Sequence, residues 1–173
     1  MTLTAPGQPS TQGSTTPSDE ARTTQVQSLM HSLRTKSPIY GLILADMTLD
    51  SVLPGTVTLR LRLTPTHLNS KGALHGAVSA TIVDYVTGLA ICSHDLREST
   101  GASVDMHLSF LAAAQVDDVV VVRATAERVG GNLAFVTIRI NKVGGEEGEE
   151  KPVVLAQHTK FVRGTGPARG RGS

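Results

Sequence analysis

The chain has 173 residues, enough for one domain with a sizeable core and room for tails. A formal charge of +1 and an aromatic content of 3% without tryptophan exclude the basic footprint and the stacking platforms of a nucleic-acid binder. The single cysteine, Cys92, excludes an internal disulfide framework and a cysteine-based zinc site.

Residues 1–18 are rich in Thr, Ser, Pro, Gln and Gly with hardly an apolar side chain, and are expected to be a disordered tail. Ser18-Asp19-Glu20 then supplies a capping side chain followed by acids for a helix N-terminus. Val26, Leu29, Met30 and Leu33 recur at three and four residues, so an accessory helix is expected over 19–37, ending at Pro38. Its polar face carries too few cations for a membrane anchor, and no apolar run is expected to reach the ~20 residues that cross a bilayer.

The period changes after Gly41. Leu42-Ile43-Leu44 and Val57 to Leu63 read as strands joined through Leu53-Pro54-Gly55, the second alternating apolar residues with Thr or Arg. Four further strands are expected at about 102–111, 116–128, 133–143 and 153–162. Gly130-Gly131-Asn132 reads as a hairpin turn, and Gly144 to Lys151 as an acidic loop whose glutamates form a solvated tip. Residues 164–173, rich in Gly and Arg, are expected to be a second disordered tail.

Between the two sets of strands lies the most informative stretch, Asn69 to Asp84, a polar glycine-bearing loop that turns into an apolar helix reaching about Ser93. Val78, Ile82, Val83, Leu89, Ala90 and Ile91 make it apolar around most of its circumference, so it is expected to be buried centrally. Cys92 lies in it as a small core residue. Asp84 sits in its middle, where an isolated charge is costly and calls for a partner, an interface or a chemical task. Two strands, one long helix and four strands make an α+β arrangement, an antiparallel sheet wrapped around a single helix.

Asn69, His75-Gly76-Ala77 and Asp84, followed by Ser103-Val104-Asp105-Met106 and Leu133-Ala134-Phe135, resemble the hotdog-fold acyl-CoA thioesterases, in the PaaI-like branch that includes thioesterase superfamily member 2. The resemblance covers about residues 39–162, and the hotdog domain is expected over 38–163. Ala77, Ala113 and Asn132 stand where a second glycine, a proline and a cation are common in the family.

The start of a buried helix presents unpaired N–H groups and a positive dipole end, and Gly76 lets a substrate oxygen approach its own N–H. The Asn69 amide can add a second donor, and His75 is expected to brace the loop. Asp84, the only acid before the helix ends, can orient and deprotonate water. The resemblance assigns the water-positioning task to Asp84 and Ser103 and the polarisation of the thioester to Gly76 and Asn69. Asp105 shares a face with Ser103 by simple alternation and either supports it or faces solvent.

Eight residues separate Gly76 from Asp84, about 12 Å along a continuous helix, too far for both to serve one thioester. Antiparallel helices of two subunits remove the difficulty, so a homodimer with shared sites is expected, with a tetramer as a further possibility. By resemblance, Arg128, Gly130, Gly131, Asn132 and Leu133 contact coenzyme A, and Phe110 and Phe161 line the rest of the groove. Coenzyme A is then part of the substrate, with no separate cofactor. His31, His67, His94, His107 and His158 have no metal-ligand spacing, so no metal is expected. The expected function is hydrolysis of fatty acyl-CoA of medium to long chain in the cytoplasm, or alternatively the mitochondrion. A non-catalytic acyl-CoA-binding module of the same fold is the other reading.

Overall fold

The computed structural model describes residues 17–144 and 148–167. In chain order the elements are α1 (Asp19–Lys36), α2 (Pro38–Ile43), β1 (Thr48–Leu53), β2 (Thr56–Arg62), α3 (Gly76–Asp95), β3 (Ala102–Phe110), β4 (Val119–Val129), β5 (Leu133–Gly144) and β6 (Glu149–Phe161). The six strands form one antiparallel sheet in the order β1-β2-β4-β5-β6-β3. This is the expected hotdog arrangement: the sheet wraps α3, and the inward residues of β2, β4, β5 and β6 meet the buried face of the helix in one core.

Alternation explains the sheet. Val57, Leu59 and Leu61 of β2, Val120, Val122 and Ala124 of β4, and Val136, Ile138 and Ile140 of β5 are all buried, while Thr58, Arg60, Arg123, Thr137 and Arg139 between them point outward and Val121 is buried as well. Thirteen residues of α3 are buried, Cys92 among them, and burial pushes the Cys92 thiol up to about 12, that of an inert core residue. At 20 residues α3 is long and apolar enough to span a bilayer, against the sequence expectation. Most of it is buried inside the sheet, and that enclosure accounts for its composition.

The N-terminal helix starts as expected, with the Ser18 hydroxyl accepting from Ala21 N–H at 3.2 Å, and its Val26, Leu29 and Met30 are buried. Two arginines fix it in ways the apolar stripe does not reveal. Arg22 is 1% exposed and donates to the Ser93 and His94 carbonyls, placing a cation on the negative end of the α3 dipole. Arg34 donates to the Ala45 and Met47 carbonyls and lies over the Tyr85 ring.

Leu42-Ile43-Leu44 is not a strand: residues 38–43 form α2, and Leu44 caps it. Pro38 presets the first helical position, and Leu44 N–H returns to the Tyr40 carbonyl at 2.9 Å. Three apolar residues are too few to separate the two periods, and Leu42 is exposed while Leu44 is fully buried. The true first strand, β1, was hidden because as an edge strand it buries only Val52 and is interrupted by a bulge between Leu49 and Ser51. Glu149 and Glu150 belong to β6 rather than to a loop, whereas Glu146 and Glu147 lie outside the described residues. Most of the two expected tails lies outside them as well.

Gly101 leads into β3 at φ +72°, and a Cβ there would lie 2.3 Å from the Phe161 carbonyl oxygen. Gly72 has a similar φ of +75° with open space around it. Gly101→Ala is therefore expected to cost about 2–3 kcal/mol and Gly72→Ala about 1 kcal/mol in urea unfolding, since both carry backbone strain and only the first carries a backbone clash. Equal losses would contradict this account of the β3 entry.

Candidate active site

The loop before α3 is built around Asn69. Its side-chain oxygen accepts from Lys71 N–H at 2.9 Å and Ala73 N–H at 3.3 Å, and its backbone N–H donates to the Ala73 carbonyl at 2.8 Å. The oxygen is thus committed to the loop, which leaves the amide NH2 as a donor. His75 is the N-cap of α3, and its Nδ1 accepts from Ala77 N–H at 3.0 Å. That bond ties the loop to the first turn of the helix. Gly76 occupies the first helical position, where its N–H has no acceptor among the described residues. The Phe110 ring stands against it, 3.4 Å from where a Cβ would be, with 61% of Phe110 exposed.

Two turns further on, Asp84 emerges from α3 with a third of its side chain exposed. Its Oδ1 accepts from Lys160 Nζ at 2.7 Å and lies 3.3 Å from Ser103 Oγ. Its Oδ2 accepts from the Tyr40 hydroxyl at 2.6 Å. Burial raises the affinity of Asp84 for a proton. The hydrogen bonds from Lys160 and Tyr40, with the Lys160 charge, outweigh it and hold the carboxyl below the usual carboxylate range. Burial in turn pushes the Tyr40 hydroxyl well up, assisted by the bond to Asp84, so the phenol stays a donor.

Ser103 also touches His158, whose Nε2 is 3.1 Å from Ser103 Oγ and whose Nδ1 is 3.0 Å from Thr87 Oγ1. Thr87 gives its own proton to the Val83 carbonyl at 2.7 Å, so its oxygen accepts from Nδ1–H. His158 is fully buried, and burial together with the Lys160 charge pushes it towards the neutral form. The Ser103 hydroxyl, which donates to Asp84 Oδ1, stands between that carboxylate and Nε2.

Asp105 does not share this face. A bulge between Ser103 and Asp105 shifts the register, so Met106 packs on the core and Asp105 lines the outer side of the sheet with Glu127, Phe135 and Thr137. The structure therefore brings Asp84 and Ser103 together and sets Asn69, His75, Gly76 and Phe110 at the other end of the same helical stretch. The hairpin turn closes through Gly130 N–H on the Leu133 carbonyl, and Gly130 and Gly131 line a cavity of about 520 Å³ with Arg97, Val129 and Val162. Arg128, Asn132, Leu133 and Phe161 are exposed around that turn. No cluster of metal-ligating side chains occurs among the described residues.

Tyr40, His158 and Lys160 were not expected at the site. For two of them the signal is present in β6, where Val154, Ala156, His158 and Lys160 occupy the inward positions. A cation on the buried side of a strand calls for an anion, and Asp84 is the acid of the buried helix. Nothing in the sequence marks Tyr40.

The model of the Thioesterase superfamily matches residues 71–149. The human protein named acyl-coenzyme A thioesterase 13 is 31% identical over 143 residues, covering 81% of this chain and 98% of that protein. Among solved structures, zebrafish thioesterase superfamily member 2 superposes with a TM-score of 0.68 at 25% identity, over 84% of this chain and 99% of its own. A hypothetical thioesterase protein from Streptococcus pneumoniae, solved with coenzyme A, reaches a TM-score of 0.60 at 22% identity, over 68% of this chain and 85% of its own, a likeness of fold.

Because Asp84 is lowered in the folded chain, its ionised pairing stabilises the fold above the unfolded carboxylate value of about 3.9 and is lost as pH falls through the lower folded value. Lys160→Met removes the charged donor. A carbon-13 NMR titration of the Asp84 carboxyl is expected to show its midpoint rising in that variant. An unchanged midpoint would contradict the role given to Lys160.

Proposed function

The chain belongs to the hotdog-fold thioesterases, the family of acyl-coenzyme A thioesterase 13, and on that basis we propose that it hydrolyses fatty acyl-CoA of medium to long chain to the free acid and coenzyme A. The observation that carries the mechanism is the Asp84 carboxylate, ionised, one-third exposed and held beside Ser103 on the flank of a buried helix. A water there has two protons and two acceptors, the Asp84 carboxylate and Ser103 Oγ, which leaves a lone pair of its oxygen for the thioester carbonyl carbon. As the C–O bond forms, Asp84 takes one proton. The tetrahedral intermediate then expels coenzyme A sulfur as thiolate, breaking the C–S bond.

The negative carbonyl oxygen of that intermediate needs donors. The unpaired Gly76 N–H at the positive end of α3 and the Asn69 NH2 group supply two, and one such donor is typically worth about 3–4 kcal/mol. Because α3 is unbroken from Gly76 to Asp95, Gly76 and Asp84 of one chain stand about 12 Å apart along its axis. We therefore place each reaction between two subunits, Gly76 and Asn69 from one and Asp84 and Ser103 from its partner. The edge of β3, which among the described residues bonds only β6, and the exposed Val104, Phe110 and Leu111 along it support pairing of two copies there.

Phe110 beside Gly76 offers an apolar wall to an acyl chain. Arg128 and the Gly130-Gly131 turn suit the phosphates and pantetheine of coenzyme A, with glycines permitting close backbone approach. Thiol release from acetyl- to palmitoyl-CoA is expected to be fastest with the medium and long chains. Asp84→Asn is expected to lower kcat by about 10²–10⁴-fold while the oligomer persists. Tight binding of acyl-CoA without release in the unaltered protein would instead favour the non-catalytic reading.

A further inference from the structure

Resting on the reading of Asp84 as the water-activating carboxylate, we infer that Tyr40 is a positioning residue of the reaction, which makes the N-terminal helices part of the active site. The bond from its hydroxyl to Asp84 Oδ2 is 2.6 Å, and it is the contact on that oxygen among the described residues. Lys160 and Ser103 both address Oδ1. Without Tyr40 the carboxylate has donors on one oxygen and is free to turn about its Cβ–Cγ bond. With Tyr40 its plane is set, and the one acceptor site these three donors leave, on Oδ2, has a fixed direction.

The ring is held as firmly as its hydroxyl. Tyr40 packs edge-on against Tyr85, with centroids 5.1 Å apart and planes at 62°. Tyr85 is 1% exposed and its hydroxyl donates to the Met30 carbonyl of α1 at 3.3 Å. Arg34 of α1 lies over the Tyr85 ring. α2 is placed by the Ser37 and Gly41 N–H groups, which return to Leu33 and Ser37. A Cβ at Gly41 would come within 2.9 Å of the Arg34 carbonyl, so the tight α1–α2 corner that aims Tyr40 requires a residue without one. Two helices that look accessory in the sequence thus end in one hydroxyl aimed at the reacting carboxylate.

Tyr40→Phe removes that hydroxyl and keeps the ring contact. The expected result is a kcat lowered by about 10–100-fold with KM for a medium-chain acyl-CoA little changed, because Tyr40 acts through Asp84. The acid limb of the kcat/KM profile is expected to move to higher pH, and the Asp84 carboxyl titration measured by carbon-13 NMR to move with it, since a donor to the carboxylate has been lost. Tyr85→Phe, which loses the bond to Met30 and leaves Asp84 untouched, is expected to keep the wild-type pH profile. A Tyr40→Phe enzyme with the wild-type profile and titration overturns the inference, as does a Tyr85→Phe enzyme that reproduces both shifts. Full activity in Asp84→Asn would instead overturn the underlying assignment of Asp84, which keeps the two failures distinct.

Discussion

A carboxylate on an otherwise apolar helix is the constraint from which the site follows. Asp84 cannot stay ionised beside the core of this sheet unless fixed dipoles and charges replace the water it has lost. Three elements far apart in sequence meet that demand: α2 with Tyr40, β3 with Ser103 and β6 with Lys160. The same contacts that make the charge tolerable also orient it. His158 extends the arrangement inward, meeting the Thr87 hydroxyl on α3 through Nδ1 and the Ser103 hydroxyl through Nε2. Stability and chemistry are therefore not separable here.

The polarity of α3 supplies the second half of the proposed mechanism. Its N-terminus presents the Gly76 N–H, which has no acceptor among the described residues, and its flank, two turns on, carries the acid. A helix is stiff, so these groups cannot be brought together within a chain by any loop movement that leaves α3 intact. The fold offers a remedy at β3, whose outer edge is open. That is where a second copy can bring an antiparallel helix with its own acid and its own donors.

Much of this was legible in the sequence because it depends on periodicity and on the cost of burying charge. The long apolar run from Val78 to Ile91 has to be a core helix, and one acid within it has to have partners. Strands that alternate fully, such as Val57 to Leu63, were equally plain. What escaped notice depends on single residues with no periodic signature. Leu42 to Leu44 carry too little pattern to distinguish a helical turn from a strand, and β1 buries too little to alternate. Asp105 was placed beside Ser103 by counting in twos, which one bulged residue invalidates. Lys160 and His158 were findable from the inward parity of β6. Tyr40 was not, since its meeting with Asp84 depends on how a six-residue helix turns against α1.

Whether two chains build each reaction centre can be decided by complementation. Asp84→Asn keeps the donors, and Asn69→Asp keeps the loop acceptor while removing the amide donor. Each homo-oligomer is expected to be inactive. When the two are co-expressed and allowed to pair at random, half the dimers are mixed and each holds one intact centre. The mixture should then recover about a quarter of wild-type thiol release. Mixed dimers, isolated by two different affinity tags, that remain as inactive as their parents would contradict a site shared between subunits.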